Sequence, residues 1–151
     1  MKILEKALIS LAVILFILII IAFLLPAKWH VQRSIVINAP STAIDLYVSD
    51  LKKWPEWNSD KIGTRVLTIT KADPNLGIWY IMSINNDKMP ATGAITYQTQ
   101  GQQTKVTWDD EGELGNNPVN RYLGLLITPM HEIDLEKSLA SLKQIIENQN
   151  K

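Results

Sequence analysis

The chain contains no cysteine among its 151 residues. That excludes disulfides, a thiolate nucleophile and a lipoprotein acylation site, and it fits a reducing or an oxidising compartment equally. Histidine is nearly as scarce. His30 and His131 are far apart, and no HExxH spacing accompanies them, so no metal site is expected. GxSxG, Walker and dinucleotide-binding glycine motifs are also missing, and no cofactor is expected. Charge of either sign is not in excess: 15 basic residues balance 15 acidic ones. Phosphate binding needs a basic surface, so nucleic acid is not the expected partner. There is no internal repeat or low-complexity tract.

What is present in quantity is one apolar run. Ala7 to Leu25 reads ALISLAVILFILIIIAFLL, without charge and with Ser10 as its one hydroxyl. As a helix it is roughly 28 Å long, close to the hydrocarbon thickness of a bilayer. It is apolar all round, unlike a core helix with one buried stripe. It also exceeds a usual signal h-region, and Leu25, Pro26 and Ala27 make a poor cleavage site. The expectation is an uncleaved single-pass membrane anchor over residues 1–27, followed by one domain over 28–151. Lys2 and Lys6 face Lys28 and Arg33 across the span, and the reading leans to an extracytoplasmic soluble domain.

Residues 28–151 carry 13 basic and 14 acidic residues, all five tryptophans and all four tyrosines; both phenylalanines lie in the apolar run. His30–Asn38 alternates and reads as a strand, with Arg33 on the apolar face at an exposed end or paired with an acid. Ser41 is the expected N-cap of a helix over 42–50. LKKWPEW, residues 51–57, is a second short helix or turn. Strands are expected at 64–70, 78–85, 91–100 and 104–109, with turns at 72–77, 86–88 and 101–103, forming an antiparallel meander. Residues 113–118 read as a loop and 119–127 as a short apolar segment. Pro129 fits the first turn of a final helix over 130–148, on which Met130, Ile133, Leu135, Leu139, Leu142, Ile145 and Ile146 form one stripe.

Four segments in this order are recognisable: RSIVINAP at Arg33–Pro40, VSDLKKWPEW at Val48–Trp57, TKVTWDDEGELGNNP at Thr104–Pro118 and RYLGLL at Arg121–Leu126. They resemble the START-related (SRPBCC) superfamily, in its bacterial polyketide cyclase/dehydrase-like branch. The resemblance implies an α+β helix-grip fold, a curved antiparallel sheet gripping a long C-terminal helix around an elongated apolar cavity. It also implies ligands such as lipids, sterols or polyketides, and in some members cyclase or dehydratase activity. The chain departs from that pattern after Trp57, where NSDKIG replaces a hairpin of some 25–30 residues. About five strands are expected instead of the usual seven.

Candidate chemistry is sparse. His131 beside Glu132 and Asp134 could form an acid/base pair, although acids on a helix's first turn are favoured by the dipole alone. Arg121 either pairs with Glu113 or Asp110 or orients an anionic ligand group. Asp109, Asp110, Glu111 and Glu113 read as a solvated acidic loop. His30 is an interfacial residue or a ligand contact. The ligand-lining candidates are Trp54, Trp57, Trp79, Tyr97, Trp108, Tyr122, Leu135 and Leu139. The favoured expectation is a membrane-anchored domain that binds an apolar small molecule or lipid without chemistry. A cyclase/dehydratase-like enzyme using His131, Asp134 or Arg121 is the alternative. A ligand-free interaction module exposing an edge strand is the third possibility.

Overall fold

A computed structural model describes residues 2–59, 65–84 and 89–149. The expected turn at 86–88, most of the NSDKIG segment and the first residue of the 64–70 strand lie outside those residues. The order is α1 (Lys2–Leu24), β1 (Lys28–Ile37), α2 (Ser41–Val48), α3 (Trp54–Trp57), β2 (Arg65–Asp73), β3 (Gly77–Ile84), β4 (Met89–Gln100), β5 (Gln103–Glu113) and α4 (Pro118–Gln149). The five strands form one antiparallel sheet in the order β1-β5-β4-β3-β2, the meander being closed at one edge by the first strand. This is an α+β helix-grip architecture, with a long C-terminal helix packed on one face of the sheet.

Alternation sets the inner face of the sheet. Val31, Ile37, Ile78, Tyr80, Ile95, Tyr97, Val106 and Trp108 point inward and are buried, while the residues between them face outward. Leu135, Leu139, Leu142 and Ile146 cover this face from α4. At the far end α2 closes the core with Ile44 and Val48. α3 lies beside it, its two indole N–H groups donating to the carbonyls of Val48 (2.8 Å, from Trp54) and Tyr47 (3.3 Å, from Trp57).

Several expectations are corrected. α2 starts at Ser41 itself. Pro40 occupies the N-cap position without a side-chain bond, and its carbonyl accepts from Ala43 and Ile44. Residues 118–149 form one helix, with Pro129 inside it and not in its first turn. Proline removes a ladder bond there, and Thr128 turns its hydroxyl back to the Gly124 carbonyl (2.8 Å). Met130 and Ile133 are exposed and lie off the buried stripe. β5 continues through Asp109–Glu113, so those acids are strand residues and not a loop. Arg33 does find an acid, Glu132 of α4, at 2.5 Å.

α1 is long and apolar enough to cross a membrane. Ala22 is its one buried residue among those described. Only three residues separate it from β1, and the Leu114 N–H bonds the Ala27 carbonyl in that connection (2.8 Å).

Candidate functional site

Two cross-strand rows build the site. In the first, Tyr80 of β3, Gly93 of β4, Asp110 of β5 and Val31 of β1 are register partners. All four point to the inner face. Gly93 has no side chain, so the Tyr80 ring passes over it and its hydroxyl reaches Asp110. A Cβ at Gly93 would stand 2.1 Å from Asp110 Oδ1 and 2.4 Å from the Tyr80 ring, far inside any permitted contact. In the neighbouring row Gly112 plays the same part for Trp29, whose ring would meet a Cβ at 2.6 Å. Glycine inside a strand marks this kind of close approach.

The result is a buried, directional hydrogen-bond chain. Trp108 Nε1–H donates to the Tyr80 hydroxyl (2.7 Å). Tyr80 donates to Asp110 Oδ1. The other carboxylate oxygen of Asp110 meets His131 Nε2 at 2.9 Å. A carboxylate only accepts, so with Asp110 ionised this pairing makes Nε2 the donor. The imidazole packs edge-on against Trp29, with ring centroids 5.5 Å apart. Asp110 and His131 are buried almost completely, and the burial of such a pair is offset by the hydrogen bonds to both carboxylate oxygens and to Nε2.

Beside this chain, among the described residues, the space between sheet and α4 has a volume of about 10 Å³, bordered by Trp54, Met82, Asp134, Leu135 and Ser138 as well as the chain itself. That is room for one water molecule. Next to it Trp54, Trp57 and Trp108 meet at centroid distances of 5.1–5.6 Å. Where the resemblance implies an elongated apolar cavity, Trp54, Trp108 and Leu135 of the described residues border this small space. A larger cleft, of about 340 Å³, opens where α1 joins the domain. Pro26, Trp29, His30, Leu114, Leu125 and Pro129 are among its walls.

The structure distributes the sequence candidates unevenly. It brings Trp54, Trp57, Trp108, Leu135 and His131 together around the interior. Leu139 is buried one turn further along α4. Tyr97 is inward too, but its hydroxyl is committed to Asp45 (3.2 Å), and burial together with that carboxylate pushes the phenol above its ordinary range. Trp79 sits on the opposite, outer face, under Lys71. Tyr122 turns away to donate to the Leu18 carbonyl of α1 (2.7 Å). Arg121 does not pair with Glu113 or Asp110. Its guanidinium donates to the carbonyls of Phe23 (3.0 Å), Leu25 (3.3 Å) and Gly115 (3.3 Å). His131 is mid-helix, so the first-turn dipole argument does not apply, and its carboxylate partner is Asp110, not Asp134. Asp134 lines the same small space. His30 is exposed on the outer face, paired with Asp109 (3.0 Å).

Asp110 and Tyr80 belong to this candidate site and stood outside the sequence-derived set of site residues. Parity contained the signal: once β5 is carried past Asp109, Asp110 shares a face with Val106 and Trp108.

No family model matches the chain, and no curated protein matches it. Solved structures do. The di-domain ARO/CYC BexL from the BE-7585A biosynthetic pathway is 16% identical, with a TM-score of 0.58 over 78% of this chain and 46% of its own. CalU16 from Micromonospora echinospora is 10% identical, TM-score 0.56, over 79% and 82%. Protein MLL2253 from Mesorhizobium loti is 11% identical, TM-score 0.62, over 79% and 97%. The chain spans about half the length of BexL and of DynU16, a protein of the dynemicin biosynthetic locus. At these identities the likeness shows the fold alone, an α+β helix-grip fold.

Proposed function

We propose that the protein is a membrane-held, cyclase/dehydratase-like enzyme acting on an apolar, carbonyl-bearing molecule, with His131 as its acid/base and Asp110 and Tyr80 as its positioning residues. The observation that supports this most is the chain Trp108–Tyr80–Asp110–His131, which aligns an imidazole with a buried carboxylate beside the space between sheet and helix. Enolisation and dehydration need a group that takes a proton from carbon and returns one to a departing hydroxyl, and a carboxylate-oriented imidazole does both near neutral pH. The ARO/CYC label of BexL, a neighbour in fold, supports the same reaction class.

In this reading residues 1–27 are the anchor and residues 28–151 the working domain, on the extracytoplasmic side. The test uses the full chain in mixed micelles with an aryl β-hydroxyketone as probe, following the absorbance of the conjugated enone. Wild type is expected to accelerate water loss, and His131→Gln to abolish the acceleration while circular dichroism shows it to remain folded. Equal rates for the two proteins overturn the proposal.

One observation favours a second reading, binding of an apolar small molecule or lipid without chemistry. The cleft of about 340 Å³ lies where the domain joins α1, so a ligand leaving the bilayer would cross little water to reach it. Native mass spectrometry of the detergent-extracted protein is then expected to show a bound apolar molecule that His131→Gln retains.

A further inference from the structure

We infer that the first three turns of α4 are themselves seated in the bilayer beside α1, with lipid acyl chains covering their outward face. This rests on the proposal that α1 spans the membrane. Val119, Leu123, Leu126, Ile127 and Met130 recur at helical spacing on one side of α4 and are each 41–66% exposed. Soluble surfaces rarely leave so continuous an apolar stripe in water. Between Val119 and Met130 the one charged residue is Arg121. It is turned inward and its guanidinium is engaged by the carbonyls of Phe23, Leu25 and Gly115. No charge therefore has to be drawn into hydrocarbon on the outward side.

The contacts with α1 set the depth. Tyr122 reaches the carbonyl of Leu18, six residues before α1 ends at Leu24, or roughly 9 Å along the helix axis. The second half of α4 climbs β1, with Glu132 on Arg33, Lys143 on the Val36 carbonyl and Glu147 on the Asn38 N–H. Followed in the opposite direction, the same helix descends alongside the last turns of α1. Interfacial helices bury their apolar face about 5–10 Å into the headgroup and acyl boundary, which is the depth reached here. The exposed polar contacts Lys28–Glu113 and His30–Asp109 lie just beyond the end of α1, where water and headgroups would begin. Acyl chains fit this face better than a soluble partner does, because it continues the apolar surface of α1.

The natural absence of cysteine makes the test direct. Full-length Leu126→Cys, Leu123→Cys, Leu15→Cys and Leu46→Cys, each bearing an environment-sensitive fluorophore, are reconstituted in phosphatidylcholine vesicles with acyl chains spin-labelled at shallow or deep positions. All four leucines are exposed, so folding is retained. The probes at 126 and 123 are expected to lose most of their emission to the shallow label, that at 15 to the deep label, and that at 46 to neither. Quenching at 15 with none at 123 and 126 overturns the inference and leaves the anchor standing. A blue-shifted but unquenched probe at 126 also overturns it, since protein, a second copy included, would then cover the face. No quenching at 15 removes the anchor and the inference together.

Discussion

The two halves of α4 are both rich in leucine and isoleucine and use them in opposite senses. From His131 onward the helix buries Leu135, Leu139, Leu142 and Ile146 against the sheet. Before Met130 its buried residues are Arg121 and Gly124, and its leucines face outward. The difference teaches that a helix's inward face is decided by what its neighbour offers. The sheet offers apolar surface. The end of α1 offers backbone carbonyls that no further turn of helix satisfies, and a guanidinium supplies donors for them while Gly124 lets Leu114 close in.

The largest test of this contrast sets one leucine from each half against the other. Leu139→Ala is expected to cost about 2–5 kcal/mol through lost contacts and a residual cavity. Leu126→Ala in detergent is expected to stay within about 0.5 kcal/mol, as exposed positions do. Denaturant titration of both variants measures the gap, and equal losses would erase the distinction between the halves. Arg121→Ala should fall between them, at about 1–3 kcal/mol, because it strands the carbonyls of Phe23 and Leu25 in a partly buried setting. Thermal unfolding in detergent reads that loss, and a melting temperature equal to wild type would show the guanidinium to be dispensable. The smallest effect concerns the distal end of the grip. Tyr97 keeps its proton in the folded state beyond the ordinary phenol range of about 10, whereas the unfolded chain releases it there. Stability should therefore fall as pH rises above about 10, and less steeply in Tyr97→Phe. Matching alkaline profiles for the two proteins would contradict that linkage.

Much of this architecture was legible beforehand because alternation and helical spacing report burial directly. The five strands, the antiparallel order and the packing of Leu135, Leu139 and Leu142 on the sheet all follow from those periods. What escaped was set by tertiary partners. Pro129 looked like a helix start, since proline favours a first turn, yet packing on both sides carried the helix through it. Arg121 looked like half of an ion pair, because carbonyls at the end of a distant helix leave no mark near it in sequence. Asp110 looked solvated because three adjacent acids suggest a loop, and only the length of β5 turned it inward. His131 stood out from the start, but its carboxylate had to come from across the sheet.

The short join between α1 and β1 has a mechanical consequence. Only Leu25, Pro26 and Ala27 lie between them, the Leu114 N–H bonds the Ala27 carbonyl, and Arg121 fastens the helix end, which ties the start of the domain to α1. Hydrophobic helices lean when the bilayer is thinner than they are long. With α1 spanning a bilayer as proposed, such a lean would be passed on to the sheet, and membrane thickness would set the angle at which the domain meets the lipid surface.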